Sequence, residues 1–90
     1  MKPVNAFELA AQACRFADAI HERKQAQAAL DHAYRRWKRD NGIGYVERDS
    51  MAWKAMMNRT AADYAEVVRA KRKERYHRDR LVTLVGRVSA

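Results

Sequence analysis

The spacing of apolar residues in the first half of the chain predicts one long α-helix over about residues 5–40. Apolar and small side chains recur there at alternating steps of three and four residues, which places them on one face of a helix. Arg23 and Gln27 interrupt this face in its middle, and the Asn5–Glu8 spacing of a capping box marks the start of the helix. The predicted stripe consists of Leu9, Ala13, Phe16, Ile20, Gln27, Leu30, Tyr34 and Trp37.

The second half carries a similar stripe and predicts a second helix over about residues 50–85. A turn is expected over residues 41–48, because Asn41 or Gly42 can adopt the left-handed conformation that ends a helix. Asp49 or Ser50 is expected to cap the second helix and Gly86 to end it. The pattern is compatible with an unbroken helix, although its β-branched end, residues 81–88, could instead fray or form a separate element. The stripe consists of Met56, Thr60, Val67, Ala70, Glu74, His77, Leu81, Leu84, Val85 and Val88.

Two helices of similar length joined by a short turn predict an all-α fold, a long antiparallel two-helix hairpin that forms a single helical domain over residues 1–90. Such a hairpin buries only one seam. Apolar side chains remain outside it, at Ala10, Cys14 and Ala17 in the first helix and at Trp53 and Met57 in the second. Unused apolar surface of this kind favours a homodimer with a four-helix core, or a partner protein, over a monomer.

Charge is concentrated in residues 69–80, where seven Lys or Arg residues stand against two acids in a chain of formal net charge +8. The basic residues avoid the predicted stripe, so they are expected on the exposed part of the second helix. This pattern indicates a polyanionic partner, although a solvated face would carry the same residues. The predicted binding residues are Arg69, Arg72, Lys73, Arg75, Arg78 and Arg80.

Nucleic acid or a nucleic-acid-handling complex is the favoured partner, bound through its phosphate backbone and not through base readout. An acidic protein surface is the other candidate. A membrane surface is disfavoured, because the basic segment lacks bulky apolar anchors. A secondary basic patch is expected near the turn, a few tens of ångströms from the first; it consists of Arg35, Arg36, Lys38 and Arg39.

Motifs for catalysis, cofactors or small-molecule substrates are not recognisable, so we expect neither an enzyme nor a cofactor. Cys14 is single, which excludes an internal disulfide and suits the cytoplasm, and no apolar run reaches the roughly 20 residues that span a bilayer. Glu74 and His77 have the E-x-x-H spacing of di-iron bundles. They are better explained as a polar pair in the seam that specifies helix register.

The sequence therefore predicts a non-catalytic helical binding protein that docks a basic helix onto an acidic surface. Trp53 and Met57 would supply an apolar anchor for the partner, unless they pack inside the hairpin against Trp37 and Tyr34. One alternative is a small stoichiometric inhibitor or adaptor, such as the anti-CRISPR-like antagonists with which phages block host defence. That comparison rests on the small size and simple helical organisation of the chain and not on any motif. Another is a structural, oligomer-forming helical module.

Overall fold

A computed structural model describes residues 4–89, and these form three α-helices: α1 (Ala6–Asp40), α2 (Met51–Arg59) and α3 (Ala61–Ser89). No strand occurs within this range. The long helices α1 and α3 pack against each other in a rod of 59 × 19 × 17 Å. The two helices are antiparallel: Gln12 of α1 contacts His77 of α3, and Glu22, further along α1, contacts Lys73, which comes earlier in α3. The predicted all-α antiparallel hairpin is confirmed.

Local hydrogen bonds explain where α1 begins and ends. The Glu8 backbone N–H donates to Asn5 Oδ1 at 2.8 Å, which confirms the predicted N-cap. At the other end the N–H groups of Gly42 and Ile43 donate to the carbonyls of Arg39 and Lys38, the pattern of a Schellman motif. Gly42 has φ 65°, a left-handed conformation that favours glycine, and it therefore ends the helix.

Ser50, and not Asp49, caps the helix that follows the turn. Its Oγ accepts from the Trp53 backbone N–H at 3.1 Å and donates to the Glu47 carbonyl at 2.6 Å. Asp49 instead takes φ 65° in the turn, a conformation that Asp adopts more readily than most side chains. One hydroxyl thus both starts α2 and closes the preceding turn.

The prediction of one unbroken second helix is wrong, because the helix is interrupted at Thr60 between α2 and α3. Thr60 is buried in the seam, and its Oγ1 donates to the Met56 carbonyl at 2.8 Å. A threonine hydroxyl that bonds its own helix in this way tends to bend it. Gly86 does not end α3, which continues to Ser89, since one exposed glycine weakens a helix by only about 1 kcal/mol.

The seam between the long helices follows a seven-residue repeat. On the side of α2 and α3 the predicted stripe is confirmed from residue 56 to residue 84, whereas Val85 and Val88 are exposed. On α1 the predicted stripe is buried or half-buried except at Ala13, which is exposed. Gln12 and Ala19 are buried although they were not predicted, so the centre of the seam is rotated by one residue at these steps. The α1 residues that follow the repeat are Leu9, Gln12, Phe16, Ala19, Arg23, Ala26, Leu30, Ala33 and Trp37, and the half-buried Ile20, Gln27 and Tyr34 lie beside them.

This rotation has a steric cause. The small side chain of Ala19 is fully buried and permits close approach of the helices, which a larger residue at the same position would prevent. Ile20 is larger and more apolar, but it lies at the edge of the seam and is only half-buried. A prediction based on hydrophobicity therefore selects Ile20, at the edge of the seam, and misses Ala19 at its centre.

Polar side chains within the seam are paired. The Gln12 side-chain amide donates to the His77 carbonyl at 3.0 Å and lies 3.1 Å from His77 Nδ1. Arg23 Nε lies 2.7 Å from Glu74 Oε2. Glu74 and His77 are half-buried and face the seam as predicted, each with a partner on α1. These pairs disfavour other alignments of the two helices, because a shifted register would leave polar groups unpartnered.

Candidate polyanion interface

The six predicted binding residues of α3 are all exposed. They lie within an uninterrupted helix, so their Cα atoms are held at fixed spacing along about 17 Å of rod. They do not share one face, since residues three, four and seven apart lie together but intermediate ones do not. The basic residues therefore surround the part of α3 that faces away from α1.

Three of the six have an acidic partner close by. Lys73 Nζ lies 3.0 Å from Glu22 Oε2 on α1, which links the two long helices. Arg78 pairs with Asp79 at 3.1 Å, and Arg69 pairs with Glu66 one turn earlier. All three are surface ion pairs, which contribute little to stability and can exchange their partner at low cost.

The other three, Arg72, Arg75 and Arg80, make no ion pair with any residue in the range 4–89. Arg72 and Arg75 are three residues apart and hence neighbours on the outer surface of α3. Arg80 lies on the flank of the helix, in a shallow groove that it shares with Arg15 of α1. Lys71, which the sequence analysis did not select, is exposed and also has no ion pair there.

The secondary basic patch lies near the turn, at the end of α1. Arg35, Arg36 and Arg39 are exposed, Lys38 is half-buried, and Arg39 Nε lies 3.6 Å from Asp40. In the folded chain Arg59 of α2 lines the same groove as Arg36. Sequence reasoning missed Arg59, although its position directly before the stripe residue Thr60 places it at the edge of the seam.

Trp53 and Met57, the predicted apolar anchors, are both half-buried. The Tyr34 hydroxyl donates to Met57 Sδ at 3.7 Å, so the hairpin already holds part of Met57. The fully presented apolar side chains at this end are instead Met51, which is 87% exposed, and Tyr45, which is 80% exposed. Neither was selected as an anchor from the sequence, because nothing local distinguishes them from their neighbours.

Among the titratable residues that the structure describes, Tyr34 alone has a clearly shifted pKa. Partial burial raises the pKa of its hydroxyl above the ordinary value, and the neighbouring Tyr64 and Asp31 raise it further by disfavouring another negative charge. The nearby Thr60 hydroxyl acts in the opposite direction and lowers the pKa. Tyr34 therefore remains a neutral hydroxyl at physiological pH, able to donate beside Met57.

In the part of the chain that the structure describes, no three His, Cys, Asp or Glu side chains lie close enough together to hold a metal ion. Within the same residues, none of the helices has the length and apolar character that crossing a membrane requires. No protein-family model, curated protein or solved structure matches this chain.

Proposed function

We propose that this chain is a non-catalytic binding protein that docks the outer surface of α3 onto the phosphate backbone of nucleic acid. Arg72 and Arg75 on this surface, and Arg80 on its flank, are exposed and make no ion pair within residues 4–89, which supports the proposal. Guanidinium groups bind phosphate oxygens in a bidentate manner, and several acting together release condensed counterions.

The geometry of α3 favours backbone contact over base readout. Arginines on several sides of a straight helix can contact phosphates, whereas base readout requires a few side chains aligned along one groove-facing stripe. The hairpin is also a single long rod, without the short, steeply crossed helices of a helix-turn-helix. We therefore expect binding that depends strongly on salt and weakly on sequence.

The first test compares two double variants of equal charge. We expect Arg72→Ala/Arg75→Ala to reduce the slope of log affinity against log salt concentration by about 1.8, since two phosphate contacts are lost. Arg69→Ala/Arg78→Ala, which removes arginines that already have acidic partners, should reduce it by less than half as much. Fluorescence anisotropy of labelled duplex DNA, single-stranded DNA and RNA at 50 and 200 mM salt measures both.

Equal losses for the two variants would show that only net charge matters, and would contradict a specific role for the unpaired arginines. Unchanged affinity in the first variant would remove nucleic acid as the partner of α3.

A protein partner is the second candidate, and the exposed side chains of Met51 and Tyr45 favour it. They lie near half-buried Trp53 and Met57 at the turn end of the rod. Methionine adapts to irregular surfaces, and aromatic residues frequently anchor protein interfaces. An inhibitor or adaptor would use this end, and would lose its partner on Met51→Ala while retaining it on Arg72→Ala/Arg75→Ala.

We also propose a homodimer through one flank of the hairpin. The tyrosine flank, defined here as Ile20, Tyr34, Met57 and Tyr64, lies beside the seam on the side opposite the Glu22–Lys73 pair. Met57 and Tyr64 lie seven residues apart, and Ile20 and Tyr34 lie fourteen apart with Gln27 between them, so each pair falls on the same side of the seam. Pairing two such flanks would give a four-helix core.

A dimer makes stability depend on protein concentration. We expect the midpoint of thermal unfolding, followed by circular dichroism, to rise over a hundredfold increase in concentration. Ile20→Lys/Tyr64→Lys should abolish this dependence, because it places like charges on both halves of the interface. A midpoint that is independent of concentration in the unmodified chain would establish a monomer.

A further inference from the structure

A groove of about 650 Å³ lies at the turn end of the hairpin, between α1 and the junction of α2 and α3. Arg36 and Trp37 line it from α1, while Arg59 and Asp63 line it from the opposite side. Its volume falls within the range of ordinary ligand sites. The basic run at residues 69–80 does not contribute to it, so this groove is distinct from the surface assigned above.

Two arginines of this groove are available to an anion. Neither Arg36 nor Arg59 makes an ion pair with a residue in the described range 4–89. Asp40 and Asp63 also line the groove, so its arginines and carboxylates are equal in number. Asp40 already lies 3.6 Å from Arg39, which is outside the groove, so it does not occupy either groove arginine.

We propose that this groove binds a nucleotide of single-stranded nucleic acid, with its phosphate between Arg36 and Arg59 and its base against Trp37. The inference rests on the proposed function and deepens it. Base stacking on an aromatic side chain beside basic residues is the usual way of binding single strands. Asp63 would face the base edge, where a carboxylate accepts from amino groups.

Single-stranded nucleic acid fits the groove better than the other two polyanions. A duplex keeps its bases stacked inside and cannot present one to Trp37 without unpairing. An acidic peptide could use the arginines but offers no flat surface to the indole, so Trp37 would contribute little. Of single strands, duplexes and acidic peptides, only single strands can use both the two arginines and the tryptophan of this groove.

Intrinsic fluorescence provides the test, because the chain has two tryptophans. In Trp53→Phe the remaining Trp37 should be quenched, in a saturable manner, by a deoxycytidine dodecamer, whose bases carry the amino group that Asp63 would accept from, but not by a duplex of equal length. In the matched control, Trp37→Phe, the remaining Trp53 should not respond. The emission of each variant before titration, together with its circular dichroism, verifies that it is folded.

Affinity provides an independent measurement. We expect Trp37→Leu to weaken dodecamer binding by about 5- to 150-fold, as the loss of one stacked base implies, while duplex binding changes less than about twofold. Arg36→Ala/Arg59→Ala should also weaken dodecamer binding, with the Trp37 quench reduced in parallel.

The proposal and the proposed function can fail separately. If α3 variants lose nucleic acid but Trp37 is not quenched and Arg36→Ala/Arg59→Ala binds normally, the groove is not a nucleotide site and the function of α3 stands. If neither single strands nor duplexes bind the unmodified chain, both fail. Equal quenching by poly-glutamate would assign the groove to acidic peptides and overturn the proposal.

Discussion

Replacing Leu30 with alanine is expected to lower the free energy of unfolding by about 2–5 kcal/mol. Leu30 is 3% exposed and lies in the seam on α1. A hairpin with one seam has few other large buried side chains; within the described residues, the apolar core consists of Ala19, Leu30, Met56, Val67 and Leu84.

The effect is large relative to the total stability. A chain of this length has a free energy of unfolding of about 5–13 kcal/mol, and a single seam favours the low end of that range. Chemical denaturation followed at the helix band measures the change. Val82→Ala is the matched control, since Val82 lies in α3 but is 65% exposed and should change stability by less than about 0.5 kcal/mol. A loss below about 1 kcal/mol for Leu30→Ala would show that the seam does not hold the helices together.

Substitutions in the Arg23–Glu74 pair should give the second large change in the free energy of unfolding. Removing one partner should destabilise the hairpin, whereas replacing both should stabilise it. The two side chains are 30% and 22% exposed, between surface pairs and fully buried ones. Removing one partner leaves a partly desolvated charge, so Glu74→Ala is expected to cost about 1–3 kcal/mol. Replacing both with leucine should instead stabilise the hairpin by about 1–4 kcal/mol, because it extends the apolar seam.

The leucine double variant should gain stability but lose the unique alignment of its two long helices. Without the charged pair, the leucine variant can shift its helices against each other, so we expect doubled or broadened amide signals in its NMR spectrum. Glu22→Ala is the matched control: Glu22 pairs with Lys73 on the exposed edge and should cost less than about 1 kcal/mol. A stabilised leucine variant with one sharp set of signals would show that Gln12 and His77 suffice to align the helices.

Much of the fold could be predicted from the sequence because its determinants are local. Helical periodicity, the Asn5 cap and the glycine turn act within a few residues of each other, and each was predicted correctly. The stripe on α2 and α3 was also predictable, since its core positions are more apolar than their neighbours. That same stripe indicated that the basic residues of the second helix would be exposed, as they are.

Other features depend on residues that are far apart in the chain. The second helix is interrupted at Thr60, which is buried in the seam and bonds its own backbone. Exposed Thr83 makes the same bond within α3 without a break, so no local pattern distinguishes the two threonines. The α1 seam is centred on Ala19 because a close partner helix selects small side chains, whereas hydrophobicity alone points to Ile20.

The candidate sites likewise combine features that the sequence determines with features that only the fold determines. Charge density along residues 69–80 is a property of the sequence by itself, and so is the long helix that displays it. The tertiary structure decides which arginines lie beside carboxylates. It also brings Arg36 and Arg59 into one groove with Trp37, because α1 folds back on α2 and α3. Helix formation is controlled by neighbours along the chain, but the balance of charge at a surface depends on every group within a few ångströms, whatever its position in sequence.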